Sequence, residues 1–370
     1  MSGFAVAYGD SATRADTETM LGLMTHRGPQ ARGVFCGDNI FMGQNYLAAD
    51  GLPCGSDLPL PLEAADGAAR ICYDGQMGNW AELAARTGTP GGPLREERLV
   101  MDLYRAQGAA LFEHLGDTIF AFALMHGDKL LVARDLLGIK TLFYGRKGDT
   151  LCFATELKSL IKVTDDVNEF PAGHYMDETG KLTQFAALPD EPPAHSKDTA
   201  EAAVHKIRHI IDKSLKARID FTLPTASLLS GGIDSSVIAY LAAGLQKQIL
   251  GKRATLKTFS LGVGESQDIK NARLMAEHIG SEHHELLISI DDIADAMPEV
   301  IYYLESFDPS LVRSSVSNYL ISREARRHGI QVLLSGEGGD EVFCGYMYLK
   351  KYPPEDQFEH QMKCLKFLHS

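Results

Sequence analysis

The sequence has little of what holds small secreted or membrane-bound proteins together. It contains one tryptophan and six cysteines in 370 residues. Cys36, Cys54, Cys72, Cys152, Cys344 and Cys364 are too sparse for a disulfide framework. None stands in a C-x-x-C pair, which argues against a structural zinc or a thioredoxin-type site. Six reduced thiols in a cytoplasmic protein are the expectation. No uninterrupted apolar run approaches the ~20 residues needed to cross a bilayer. The start of the chain, residues 1–10, lacks the basic stretch and apolar core of a secretory signal, so no membrane partner is expected. Positive charge is scarce as well. Lys and Arg number 36 against 49 Asp and Glu, a net charge of −13, and no basic run interrupts it. An acidic surface repels phosphate backbones, so nucleic acid is not an expected partner.

What is present is ordinary globular material, with 45% hydrophobic and 23% charged residues. At roughly 150 residues per domain the length predicts two domains. The clearest break is Leu188-Pro189-Asp190-Glu191-Pro192-Pro193, whose prolines read as a linker. The expected layout is a domain over 1–188, a linker over 189–198 and a second domain over 199–370. Before the linker, short apolar segments at 121–125, 129–133 and 141–144 predict β-structure, with Gly127-Asp128 as a hairpin turn. After it, Ala203, Ile207, Ile210, Ile211 and Leu215 recur at helical spacing and predict an amphipathic helix over 199–219. Apolar runs and helical patterns then alternate: strands at 226–229, 255–263, 282–288 and 331–334, helices at 235–245, 268–279, 293–303 and 315–328. Such alternation predicts a parallel sheet covered by helices on both faces.

The strongest chemical signal is Ser230-Gly231-Gly232-Ile233-Asp234-Ser235-Ser236, set between a predicted strand and a predicted helix. Glycines let the backbone approach an anion, successive N–H groups converge on it, and the helix N-terminus adds a favourable dipole. Asp234 would repel phosphate by itself and makes sense as a magnesium ligand. The string is neither a Walker A loop nor a dinucleotide G-x-G-x-x-G. A second loop, Ser335-Gly336-Glu337-Gly338-Gly339-Asp340-Glu341, follows the last predicted strand and should face the same crevice, with Asp340 as a second magnesium ligand. Between the loops, Glu305 and Asp308 follow a helix, with Arg313 shortly after. His283 and His284 are adjacent on a strand and point to opposite faces, which argues against metal binding there.

These strings together resemble the asparagine synthetase family, and the S-G-G-x-D-S-S string resembles the PP-loop of ATP pyrophosphatases. The likeness continues in Phe259-Ser260-Leu261-Gly262-Val263, Glu305-Ser306-Phe307-Asp308 and Leu334 to Phe343. In the first half it rests on Thr25-His26-Arg27-Gly28-Pro29, Arg134-Asp135-Leu136-Leu137-Gly138-Ile139-Lys140, Ala154-Thr155-Glu156-Leu157-Lys158 and Phe170-Pro171-Ala172-Gly173. The resemblance implies an α+β N-terminal domain of stacked antiparallel sheets, like the N-terminal-nucleophile hydrolases. It implies an α/β C-terminal domain of the PP-loop ATP pyrophosphatase type. It also implies ATP and Mg2+ as cofactors, and a small amino-acid-like carboxylate activated as an acyl-adenylate for attack by ammonia or an amine. Leu229 and Val263 would line the adenine, Ser230 to Ser236 would hold pyrophosphate, and Glu305 would accept the amine's proton with Asp308 nearby. Gly336, Glu337, Gly338 and Asp340 would close the site. A homodimer is the expected assembly.

The likeness breaks where glutamine chemistry is expected. The family's N-terminal nucleophilic cysteine is Ser2. Its Arg-Leu-Ser-Ile becomes Asn45-Tyr46-Leu47-Ala48, and its Asn-Gly-Glu becomes Asp74-Gly75-Gln76. Glu96 is the nearest candidate for the aspartate expected before the following helix. The first domain is therefore expected to survive as a scaffold without glutaminase activity. A second break lies past the Gly-Glu-Gly loop, where the family continues with a lysine that contacts the α-phosphate. Lys350 and Lys351 are the nearest lysines. A partner chain supplying that segment, a shortened chain, and a catalytically impaired nucleotide- or partner-binding relative stay open, as does a ring-forming enzyme of the β-lactam-synthetase kind.

Overall fold

Two apolar faces along single strands explain the first half of the chain. In the computed structural model, which describes residues 2–47, 58–189, 196–219 and 221–368, Phe4 and Val6 face one core while Ala5 between them faces another. A strand alternates its side chains, so apolar residues on both faces require cover on both sides. In chain order the elements are β1 (Gly3–Tyr8), α1 (Arg14–Leu23), β2 (Ala31–Cys36), β3 (Ile40–Tyr46), β4 (Leu62–Glu63) and β5 (Ala69–Met77). Then come α2 (Trp80–Thr87), α3 (Arg95–Gln107), β6 (Thr118–His126), β7 (Lys129–Arg134), β8 (Phe143–Lys147) and β9 (Thr150–Ala154). The unit ends with α4 (Leu157–Leu160), β10 (Asn168–Glu169), β11 (His174–Asp177) and β12 (Leu182–Gln184).

Two six-stranded antiparallel sheets result, in the orders β10-β8-β9-β1-β3-β2 and β12-β11-β7-β6-β5-β4. Phe4, Val6, Met42 and Phe153 of the first sheet meet Cys72, Ala121, Ala123 and Val132 of the second. Met20 and Leu21 of α1, with Met24 just past its end, cover the outer face of the first sheet. Leu99, Val100 and Leu103 of α3 cover Phe120, Phe122 and Leu124 on the outer face of the second. The layers run helix, sheet, sheet, helix. His126 pairs with Lys129, so Gly127-Asp128 is the two-residue hairpin turn expected, with Gly127 at φ 58°.

A second compact unit begins at Pro192. The linker prolines Pro192 and Pro193 lie outside the described residues, as do Ala48 and Cys54. Its elements are α5 (Ala200–Arg218), β13 (Thr225–Leu228), α6 (Ile233–Leu250), β14 (Lys257–Gly262), α7 (Gln267–Ile279) and β15 (Glu282–Leu287). They continue as α8 (Ile290–Leu304), α9 (Pro309–Arg327), β16 (Val332–Leu334), α10 (Gly339–Phe343) and α11 (Pro354–Leu368). The sheet is parallel, in the order β15-β14-β13-β16. On one face α5, α6 and α7 pack Leu215, Ala239, Ala243 and Ala276. On the other, Ile321 and Ala325 of α9 cover Ala226 and Phe259.

One expectation needs correction, and the expected helix over 199–219 forms as α5. Helix α9 starts at Pro309 rather than at residue 315, because the Asp308 side chain accepts N–H bonds from Ser310 and Leu311, and proline is preorganised for the first helical turn. The amphipathic stripe of α5 is mostly uncovered: Leu215 is its only residue classed as buried, while Ile207 and Ile210 are exposed.

Candidate active site

The strand order places the candidate site. From β13 the chain steps outward to β14 and β15, then returns to add β16 on β13's other side. The order of strand addition therefore reverses between β13 and β16, the place beyond whose C-terminal ends open α/β sheets form a crevice. Ala226 and Ser227 lie beside Leu333 and Leu334, so the two glycine-containing loops start side by side.

Leu229 is fully buried, and its amide donates to Phe259 O at 2.8 Å, which anchors the first loop to β14. Gly231 has φ +85°, and a Cβ there would lie 2.2 Å from Asp268 O, so the turn accepts only glycine. Ser235 binds the loop together: its Oγ accepts from Ser230 N–H at 3.2 Å and lies 3.0 Å from Ser230 Oγ. Ser236 Oγ donates to Gly232 O at 2.7 Å. Helix α6 starts just past Gly232, and the first N–H groups of a helix have no partner within it. Val263 follows the end of β14 and is 53% exposed.

The second loop closes on the first. A Cβ on Gly336 would lie 2.7 Å from Ser235 N, and one on Gly339 would lie 2.8 Å from Asp234 Oδ1. Glycine at both positions lets the loops interlock around Asp234, with Asp340 next in the chain. Glu337 and Gly338, at φ +89°, form the exposed turn between them. Asp234 lies against Gly339 and Asp340 lies against Gly345; carboxylate oxygens are the kind of ligand Mg2+ takes. Among the described residues no group of three or more His, Cys, Asp or Glu side chains could hold a metal. His283 bonds Thr258 and Ser260, while His284 stacks on Phe259, so the two histidines do face opposite ways.

Glu305 ends α8 in the left-handed region at φ 59°, a conformation that costs a non-glycine residue about 1 kcal/mol or more and recurs at functional sites. Asp308 caps α9 through Oδ1. Lys350 and Lys351 lie in an exposed 3-10 turn over Met347–Lys351.

In the first unit two of the sequence-predicted positions, Ser2 and Asp74, meet directly, with partners that local reading did not supply. Asp74 is buried on β5 and accepts Ser2 N–H at 3.0 Å through Oδ1. Arg27 donates to Asp74 Oδ2 at 2.9 Å and to Ser2 O at 3.0 Å, and Lys140 Nζ lies 3.2 Å from Oδ1. Asp135 positions Lys140 by accepting the N–H groups of Leu137, Ile139 and Lys140. The Ser2 hydroxyl accepts Leu47 N–H at 3.2 Å. Asn45 is buried, with its amide donating to Leu21 O at 2.8 Å, and Gln76 is exposed. Burial raises the Glu156 carboxyl, yet bonds with His26 and Lys158 outweigh it and hold the group below the usual carboxylate range. Burial raises Glu96 above that range despite the Tyr73 hydroxyl at 3.0 Å.

The pattern of the family described as Glutamine amidotransferase domain matches residues 1–205, and that of the family described as Asparagine synthase matches 206–367. The probable glutamine-hydrolyzing asparagine synthetase of Schizosaccharomyces pombe is 32% identical over 94% of this chain. Asparagine synthetase 1 of Saccharomyces cerevisiae is 30% identical over 93%, and asparagine synthetase B of Escherichia coli 31% identical over 94%. The chain spans 65%, 65% and 64% of the lengths of these three relatives.

Proposed function

Because the chain belongs to the asparagine synthase family, with a glutamine amidotransferase domain ahead of the synthase domain, we propose that it forms an amide bond at the expense of ATP. The observation that carries this reading is the interlock of Gly336 and Gly339 with Asp234 and Ser235 at the strand-order reversal. ATP is a substrate here. A carboxylate oxygen of the acid attacks the α-phosphorus, the bond to the bridging oxygen breaks, and pyrophosphate leaves with its electron pair. The Ser230 to Ser236 backbone and the α6 N-terminus receive that charge. Leu229 and Val263 flank the adenine. Asp234 and Asp340 would hold Mg2+, which would neutralise phosphate charge. Ammonia or an amine then attacks the acyl carbon, AMP departs, and Glu305 takes the proton released from nitrogen.

The nitrogen comes from ammonia or an amine rather than from glutamine. An oxyanion hole needs donors, and an ionised carboxylate only accepts. Asp74, with Arg27 and Lys140 on it, stands where the family carries a donor amide. The buried Asn45 spends its amide on Leu21 and brings no charge to a glutamine carboxylate. A second reading, completion of the site by a partner chain, draws on Val342, Phe343 and Met347, all exposed just past the second loop.

The test is ATP–pyrophosphate exchange by the full chain with a panel of acids, followed by amide formation with ammonia or with glutamine. Exchange with at least one acid, and product from ammonia alone, is expected. Glutamate release from glutamine would overturn the ammonia assignment, and no exchange with any acid would overturn the synthetase reading.

A further inference from the structure

A groove of about 590 Å³ lies among α5, α6 and the end of α7, within the second unit. Small-molecule sites run from roughly 300 to 1,000 Å³. His205, Arg208, His209, Asp212 and Lys216 line it from α5, where steps of three and four residues put them on one stripe. Tyr240, Gly244 and Lys247 line it from α6 at the same spacing. Three permanent cations thus meet one carboxylate, in a chain whose net charge is −13. Lys216 Nζ lies 2.6 Å from Asp212, an exposed pair of the kind that contributes little. Lys247 donates to Ile279 O at 3.1 Å and so answers the negative end of α7. Arg208 makes no hydrogen bond or ion pair among the described residues. Gly244 stands in the interior of α6, where glycine costs about 1 kcal/mol relative to alanine. A Cβ there would meet no atom within 4 Å outside its own stretch of helix, so packing does not require glycine. Its effect is to leave that wall of the groove bare. Tyr240 is 48% exposed and stacks on His278 at 6.1 Å, with 19° between the rings, so a flat apolar surface borders the cations.

We infer that this groove is a second ligand site, and that it takes a small phosphate monoester with an aromatic body. It is separate from the glycine-containing loops. Gly244 lies ten residues past Asp234 on the same helix, about 15 Å at 1.5 Å per residue. Helices α6 and α7 run back from the C-terminal ends of the parallel strands, so their final turns lie at the opposite end of the sheet from the loops. A guanidinium grips a phosphate with two parallel hydrogen bonds, and a dianion matches the excess of two cations over Asp212 better than a single carboxylate does. The imidazoles of His205 and His209 bring further ring N–H donors to the same stripe. The body of the ester then covers the Tyr240 ring and passes over Gly244, where a side chain would stand in its way. The site does not depend on the synthetase reading, which concerns the other end of the sheet.

The probe is phenyl phosphate, titrated into the full chain at low salt without ATP and followed by calorimetry and ligand-observed NMR. It should bind, and benzoate at the same concentration should not displace it. Arg208→Gln should weaken binding by at least about tenfold, the loss expected for one charge-assisted contact. Gly244→Leu fills the groove and should weaken it similarly. Leucine is the better helix former, so this variant keeps the test open if Arg208→Gln folds poorly. Tyr240→Ala should weaken phenyl phosphate several-fold and leave inorganic phosphate unchanged. Binding that survives both Arg208→Gln and Gly244→Leu places the probe at the glycine-containing loops and overturns the inference. Displacement by benzoate overturns the phosphate assignment, and an equal effect of Tyr240→Ala on both phosphates overturns the aromatic one. Binding of oligoglutamate but not of phenyl phosphate assigns the groove to an acidic polypeptide and overturns the inference, as does no binding at all. Pyrophosphate exchange is a separate measurement, so failure here leaves the synthetase reading untouched.

Discussion

Asp74 carries the largest consequence of a single residue. Its carboxylate is buried with Arg27 and Lys140 and cannot be removed without stranding cations. Asp74→Asn keeps the shape and should destabilise the first unit by about 3 kcal/mol, the usual cost of breaking a buried ion pair from one side. Urea unfolding followed by Trp80 fluorescence measures this, since Trp80 lies in that unit. An unchanged midpoint would show that the pairs contribute nothing. Glu96 behaves oppositely. Burial raises its folded-state pKa, so its contribution is fully favourable below the unfolded value and fades as pH rises through the folded one. Glu96→Gln should therefore stabilise the protein at about pH 7 and not at about pH 4. An equal effect at both would assign the change to packing. Ser2, Asn45, Asp74 and Gln76 are visible in the sequence as substitutions, yet the pairing of Asp74 is not. Its cationic partners lie 47 and 66 residues away, and only the fold of the sheets brings them close.

Helix α9 shows how one element joins stability to chemistry. Asp308 caps it, and the same residue stands in the E-x-x-D string. Asp308→Ala should cost about 1 kcal/mol in unfolding, whereas Asp308→Asn, also a good cap, should cost far less. Pyrophosphate exchange then separates the roles. Loss in the asparagine variant at unchanged stability assigns the charge to catalysis, and retained exchange leaves Asp308 as a cap alone. The Asp-Pro start of α9 was legible as a helix signal. Apolar periodicity places the start at 315 because the Pro309–Ser314 turn has little of it.

The whole molecule is uneven. Among the described residues, all but four of the large exposed apolar side chains belong to the second unit. The first unit buries four layers; the second leaves much of α5, α8 and the segment after Gly338 uncovered. Buried apolar area drives folding, so the second unit should unfold at lower urea. Far-UV circular dichroism should show an earlier transition that Trp80 fluorescence does not follow. Coincident curves would indicate one cooperative body. No described helix is long and apolar enough to cross a membrane.

By itself the sequence determined the alternation of strands and helices in the second half, the two glycine-containing loops, and the residues at positions 2, 45, 74 and 76 that depart from the family's pattern. These are local facts, written in period, turn chemistry and residue identity. Only the tertiary structure decided that Gly336 and Gly339 interlock with Asp234 and that Arg27 and Lys140 converge on Asp74. Those relations depend on strand order and helix packing, which bring distant residues within ångströms and leave no periodic trace in the chain.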